Sequence, residues 1–94
     1  MTGGKKPFYR RPGVWLDSKD GKVPLRAVIG GTDSNGEKIY IGRGKMEGAL
    51  LPGKIVPSHK CCYVSWNGAE HALSKYQVGI LLQTSVNSIL TNAF

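Results

Sequence analysis

Long apolar runs are missing from this 94-residue chain. No stretch approaches the roughly 20 apolar residues that span a bilayer, and the N-terminal MTGGKKPFYRRPG lacks the apolar stretch of a secretory signal. These absences point to a soluble, cytoplasmic protein, with any export following an unconventional route. Cysteine is scarce. Cys61 and Cys62 are adjacent, and neighbours on an extended strand point to opposite faces, so a bond between them is disfavoured and neither has another partner in the chain. A disulfide framework is excluded, and a reducing compartment fits. Acidic residues are also few, six against thirteen basic, for a net charge of +7. At this length the chain makes one domain, too short to build a second lobe around a deep cleft, so any site should be shallow.

The positive charge is unevenly spread. Lys5, Lys6, Arg10 and Arg11 precede the domain, residues 12 to 75 hold nine basic and six acidic residues, and residues 76 to 94 carry no charge. Residues 1 to 13 are rich in Gly, Lys, Arg and Pro and cannot bury enough apolar surface to offset the entropy of ordering. They read as a flexible basic arm.

What the chain does have is glycine, thirteen of them, placed between short apolar runs. Turn signals recur at Ser18 to Gly21, Gly30 to Gly36, Arg43 to Gly48, Pro52-Gly53, Pro57 to His59 and Asn67-Gly68. With β-branched and aromatic residues between them, this spacing predicts a small antiparallel all-β domain. Asn35-Gly36 favours positive φ, so the chain should reverse there. Lys38 to Ile41 places Ile39 and Ile41 on one face and Lys38 and Tyr40 on the other, as in a half-buried strand. Cys61 to Trp66 divides similarly into Cys61, Tyr63 and Ser65 against Cys62, Val64 and Trp66. From Tyr76 the character changes: Val78, Leu82, Val86 and Ile89 fall at helical spacing, and both helix and strand stay open.

Several familiar motifs fail on inspection. Gly48 to Lys54 has the spacing of a phosphate-binding loop, but Ile55 stands where Ser or Thr would hold magnesium, and Pro52 lacks an amide donor. His59, Cys61, Cys62 and His71 suggest zinc, yet the two cysteines point apart and no Cys-x-x-Cys pair exists. No metal or cofactor is expected. Neither cysteine has an identifiable base with its orienting third group, so a nucleophilic enzyme is not indicated. The basic arm with Tyr9, Trp15, Tyr40 and Tyr63 could contact a nucleic acid, but the weakly basic body argues for a solvated tail and core aromatics instead.

A longer pattern does hold. Trp15, Gly21-x-Val23-Pro24, Ala27-Val28-x-Gly30-Gly31-x-Asp33, Gly36-Glu37-x-Ile39-Tyr40-x-Gly42-Arg43, Gly48, Pro52-Gly53-Lys54, Pro57, His59, Tyr63-Val64, Gly68-x-Glu70 and Tyr76 follow one another in order. This succession resembles the DM-nine repeat family, the module also found at the front of natterin-type fish toxins. The likeness covers residues 14 to 78, leaving the arm at 1 to 13 and a divergent C-terminal tail at 79 to 94.

The resemblance implies an all-β fold in which two repeats, usually in tandem, associate by exchanging strands. A chain with one repeat would then form a homodimer. It also implies a non-catalytic, carbohydrate-binding lectin module of the mannose type, acting in innate immune pattern recognition on mannose-containing glycans or microbial surface polysaccharide. The alternative is a protein-interaction or membrane-targeting module related to natterin-like toxins. The family's sugar contacts fall on Asp33 and Lys54, with Glu37, Arg43 and His59 as further polar candidates. Asp33 offers carboxylate lone pairs and Lys54 three donors, which together can fix two neighbouring hydroxyls. Each also has a purely structural role open to it: Asp33 as the cap of the turn before Asn35-Gly36, Lys54 as a solvated strand residue. Trp15 and Trp66 suit either a sugar face or the core.

Overall fold

Reversals every few residues divide residues 12–82, the span that the computed structural model describes, into seven strands. These are β1 (Val14–Lys19), β2 (Ile29–Thr32), β3 (Lys38–Met46), β4 (Ala49–Val56), β5 (Cys61–Trp66), β6 (Ala69–Leu73) and β7 (Lys75–Ile80), with a 3₁₀ turn at Pro57–His59. Glu47-Gly48 and Asn67-Gly68 take positive φ at both residues and close the β3–β4 and β5–β6 hairpins in two residues each. That conformation matches the twist of the flanking strands. The chain also reverses at Asn35-Gly36, but over five residues between Thr32 and Lys38, and of the pair only Gly36 has positive φ.

The strands form one antiparallel sheet in the order β1-β7-β3-β4-β5-β6, with β2 also paired to β3. The sheet curls so that β5 and β7, which are not sheet neighbours, meet across the core. Ile55, Cys62, Val64, Tyr76, Val78 and Ile80 fill it. Complete burial of an Ile or Val side chain contributes roughly 1.5–3 kcal/mol, so this small set accounts for much of the driving force.

A glycine pair makes the curl possible. Gly42 and Gly53 lie directly opposite one another on β3 and β4. A Cβ on Gly42 would stand 2.6 Å from Ile55 Cδ1, and one on Gly53 would stand 2.7 Å from Cys62 Sγ and 2.6 Å from the Tyr63 carbonyl oxygen. Ile55 and Cys62 therefore occupy the trough that the missing side chains leave, at close-packed distances. Burial pushes the Cys62 thiol up to about 11, with the neighbouring Cys61 adding to the effect. At neutral pH that sulfur is a protonated core atom and a poor nucleophile. Both cysteines are free and buried.

Two expectations change, and one left open is settled. Pro52-Gly53 is no turn but the middle of β4, and Arg43 to Met46 continue β3. Pro52 is tolerated because β4 pairs with β5 only from Gly53 to Val56, so the ladder ends before a residue with no N–H to give. The segment from Tyr76 is strand as far as Ile80, since β7 completes the sheet between β1 and β3. Val86 and Ile89 lie outside the described residues. At the margins of the sheet Gly13 N donates to Ile80 O at 2.7 Å, and Leu81 N to Arg26 O at 2.9 Å. Residues 1–11 of the arm and 83–94 of the tail lie outside the described residues. Among those residues, no helix is long and apolar enough to cross a membrane.

Candidate functional site

Asp33 organises the β2–β3 connection. Its Oδ1 accepts hydrogen bonds from the amides of Asn35 and Glu37, each at 2.9 Å. Its own amide donates to Glu37 O, and its carbonyl accepts from Gly36 N, both at 3.0 Å. The side chain caps the turn, and both of these side-chain bonds fall on Oδ1 rather than Oδ2. The turn's geometry explains why Asp serves here: a short carboxylate reaches amides two and four residues ahead without leaving the loop.

Glu37 ties this loop to the next one. Its Oε2 accepts from Ser58 N at 2.8 Å and its Oε1 from Ser58 Oγ at 2.6 Å. Ser58 sits in the 3₁₀ turn between β4 and β5, beside His59. His59 Nδ1 lies 2.7 Å from the Tyr63 hydroxyl, with the two rings edge to face at 5.7 Å. Tyr63 is opposite Lys54 in the β4–β5 ladder, and Ile41 flanks Lys54 on the other side. Lys54 is exposed.

Hydrogen bonds therefore tie Asp33 to Glu37 and Glu37 to Ser58, whose chain neighbour His59 meets Tyr63, and strand register sets Tyr63 beside Lys54, so that four of the five sequence candidates follow one another. The surface sits at one end of the sheet and faces away from the core. Tyr63 and Ser58 were not foreseen as parts of it. Tyr63's place depends on β4–β5 register, and Ser58's on a contact with a residue 21 positions away, so neither leaves a local signal. The Tyr63 phenol is raised above its ordinary pKa, chiefly by its hydrogen bond with Cys61 and then by burial. It stays protonated at neutral pH and able to donate.

Arg43 stands apart from this set. Its guanidinium lies 4.2 Å above the Trp15 ring and its Nε donates to Gln77 Oε1 at 2.8 Å. Trp15, covered by Arg43 and close to Gly79, is thereby engaged within the sheet's outer face. Trp66 is half-buried, and its carbonyl lies 3.3 Å from His71 Nε2. Among the described residues, no group of three or more His, Cys, Asp or Glu side chains is placed to hold a metal ion.

Chemically, the joined set offers a carboxylate oxygen, an ammonium, an imidazole and a phenol on a shallow polar surface. Both donors and acceptors are present, as neighbouring hydroxyls of a neutral ligand require.

The model of the DM9 repeat matches residues 8–78. Natterin-1 of Thalassophryne nattereri is 38% identical over 63 residues, covering 67% of this chain and 16% of that protein. Natterin-2 of the same fish is 40% identical over 63 residues, covering 67% of this chain and 15% of that protein. The chain spans about a sixth of the length of these curated relatives.

Proposed function

The chain belongs to the DM9 repeat family, and from that premise we propose that it is a carbohydrate-binding module of the mannose type, recognising mannose-containing glycans or microbial surface polysaccharide in innate defence, without catalysis or cofactor. The observation that carries this reading is the Glu37–Ser58 clamp. It fixes the Asp33 loop against the connection that leads to His59, Tyr63 and Lys54, so the acceptor and the donor are held ready rather than ordered on binding. Asp33 Oδ2 and the Lys54 ammonium would take adjacent hydroxyls, with Glu37, His59 and Tyr63 shaping the surface; Arg43 is left out. The cytoplasm suits its free cysteines, and export, where it occurs, would be unconventional.

Substitution must respect the turn. Asp33→Ala strips acceptors from two amides and costs about 1–2 kcal/mol of stability, which confuses folding with binding. Asp33→Asn keeps the Oδ1 acceptor for the two turn amides and removes the charge and the Oδ2 acceptor. Calorimetric titration with mannose should give binding by the wild type, and a loss of about tenfold or more in an Asp33→Asn, Lys54→Gln double variant of unchanged melting temperature, because charge-assisted hydrogen bonds contribute roughly 1.5–3 kcal/mol. A folded wild type that binds no mannose-containing glycan would favour the other reading, a protein-interaction or membrane-targeting role.

A second copy completes the module. Val14, Leu16 and Ile29 lie on the core-facing side of the sheet, opposite Ile80, Val78 and Tyr40, yet stand 42%, 45% and 43% exposed. Among the described residues nothing covers this edge of the apolar face, and the same edge of a second chain fits it under two-fold symmetry. Two weak sugar sites on one particle also gain from effective concentration on a repetitive surface. Equilibrium sedimentation at micromolar concentration should return the mass of a dimer; the monomer mass would refute it.

A further inference from the structure

The outer face of the sheet carries a second arrangement, which the sugar reading does not use. Lys19 on β1 is directly opposite Lys75 on β7. Arg43 is opposite Gln77, where the β3–β7 ladder ends, and Lys45, two residues further along β3, lines the same groove as Lys19 and Lys75. Paired strands are about 4.8 Å apart, so Lys19 and Lys75 form a close row. Like charges directly opposite on paired strands are destabilising, so the row is a cost to the fold unless an anion lies across it.

The next row fixes the flank. Gln77 Nε2 donates to Asp17 Oδ1 at 3.0 Å, and Arg43 Nε donates to Gln77 Oε1 at 2.8 Å. The Arg43 guanidinium lies over the Trp15 ring. Asp17 is thus engaged by an amide, and Arg43 is anchored through Nε and its ring stack. Lysine stems, Leu50 and Gly44 wall a groove of about 720 Å³ around these groups, a size that suits a small ligand.

The chemistry of the groove selects its ligand. Lysine and arginine donate and cannot accept, so the partner must be rich in acceptors and negatively charged. Among the described residues the one aromatic side chain lining the groove, Tyr76, is buried and its hydroxyl donates to Lys22 O at 3.0 Å; it offers no platform on which a nucleic-acid base could stack. Among the same residues Leu50 is the single exposed large apolar side chain there, too little to enter a lipid surface. A ring bearing several oxyanions matches both the volume and the spacing.

We propose that Lys19, Lys45 and Lys75, flanked by Arg43, form a second binding site on this protein, for an anionic saccharide carrying two or more sulfate or phosphate esters. Leu50 in this groove and Lys54 in the mannose-type site lie on the same strand four residues apart, about 13 Å. The two sites are distinct, and this one does not depend on Asp33 or Lys54.

The test titrates the full chain with a heparin-derived hexasaccharide, its desulfated form, inositol hexakisphosphate, a single-stranded oligonucleotide and anionic phospholipid vesicles. One variant carries Lys19→Gln, Lys45→Gln and Lys75→Gln. A control of equal charge carries Lys22→Gln, Lys38→Gln and Lys60→Gln; all six lysines are exposed, and thermal melting checks both folds. The wild type should bind the sulfated hexasaccharide, inositol hexakisphosphate or both, and not the desulfated form. The groove variant should lose about tenfold or more and the control about threefold or less, since only the groove makes direct charge-assisted contacts. Absence of binding by the wild type, equal losses in the two variants, or tighter binding of the oligonucleotide or vesicles overturns the proposal.

Discussion

Valine at Gly53 is expected to remove about 3 kcal/mol or more of stability, a large part of what a domain of this size possesses. The reason is local. A Cβ there meets the Tyr63 carbonyl oxygen at 2.6 Å, Cys62 Sγ at 2.7 Å and Val64 Cγ1 at 2.8 Å. The first of these is backbone and cannot rotate away, while Cys62 and Val64 are held in the filled core. Relief requires β4 and β5 to separate, which breaks the ladder from Gly53 to Val56. Gly31→Ala is the control, because no described residue lies within 4 Å of its would-be Cβ; its effect should stay within about 0.5 kcal/mol. Thermal or urea denaturation of both variants decides the matter. Equal melting temperatures for Gly53→Val and the wild type would show that the trough can open without loss.

The second large effect comes from the residue that fills the trough. Ile55 is fully buried, and Ile55→Ala should cost about 3–4 kcal/mol through lost transfer energy and the cavity left behind. Gly42→Ala should cost about 1–3 kcal/mol, because its methyl stands 2.6 Å from Ile55 Cδ1 and 2.8 Å from Cγ1. Together the two changes should cost less than their sum by about 1 kcal/mol or more, since the alanine methyl enters space that isoleucine has vacated. Strict additivity in the double-mutant cycle would mean that the two positions do not share this space.

This trough also marks the limit of what the sequence discloses. The all-β class, the reversals and the antiparallel arrangement were legible because turn chemistry is local: Gly36, Gly48 and Gly68 all take the positive φ that glycine accepts. The face of β3 was harder to read. Ile39 and Ile41 suggest a buried side, yet the core-facing positions are Tyr40, Gly42 and Gly44. Glycine stands where an apolar residue would announce the core, because bulk arriving from β4 and β5 already fills the room. Pro52-Gly53 misled for a related reason: a pair that reads as a turn belongs to a strand whose glycine is set by packing and whose proline sits where a ladder stops.

Of the site, Asp33, Glu37, His59 and Lys54 were legible as individual residues through the family pattern. Their connection was not. Ser58 reaches Glu37 across two strands, and Tyr63 meets Lys54 only through register, which no local spacing encodes. Arg43 was grouped with them because it follows closely in the chain; strand direction carries it instead to the neighbourhood of Trp15 and Gln77.

The pairing of β1 with β7 bears on the order in which the protein is made. Of the seven described strands β1 leaves the ribosome first, and its partner in the sheet, β7, is the last of them. Each hairpin between them can close as soon as its own residues emerge, whereas β1, with the apolar Val14 and Leu16, must wait for the whole domain. Such long-range closure is slow and leaves an open strand exposed to other chains. A nascent copy nearby is thus as available to β1 as its own β7, and partner choice becomes a race between chain elongation and encounter.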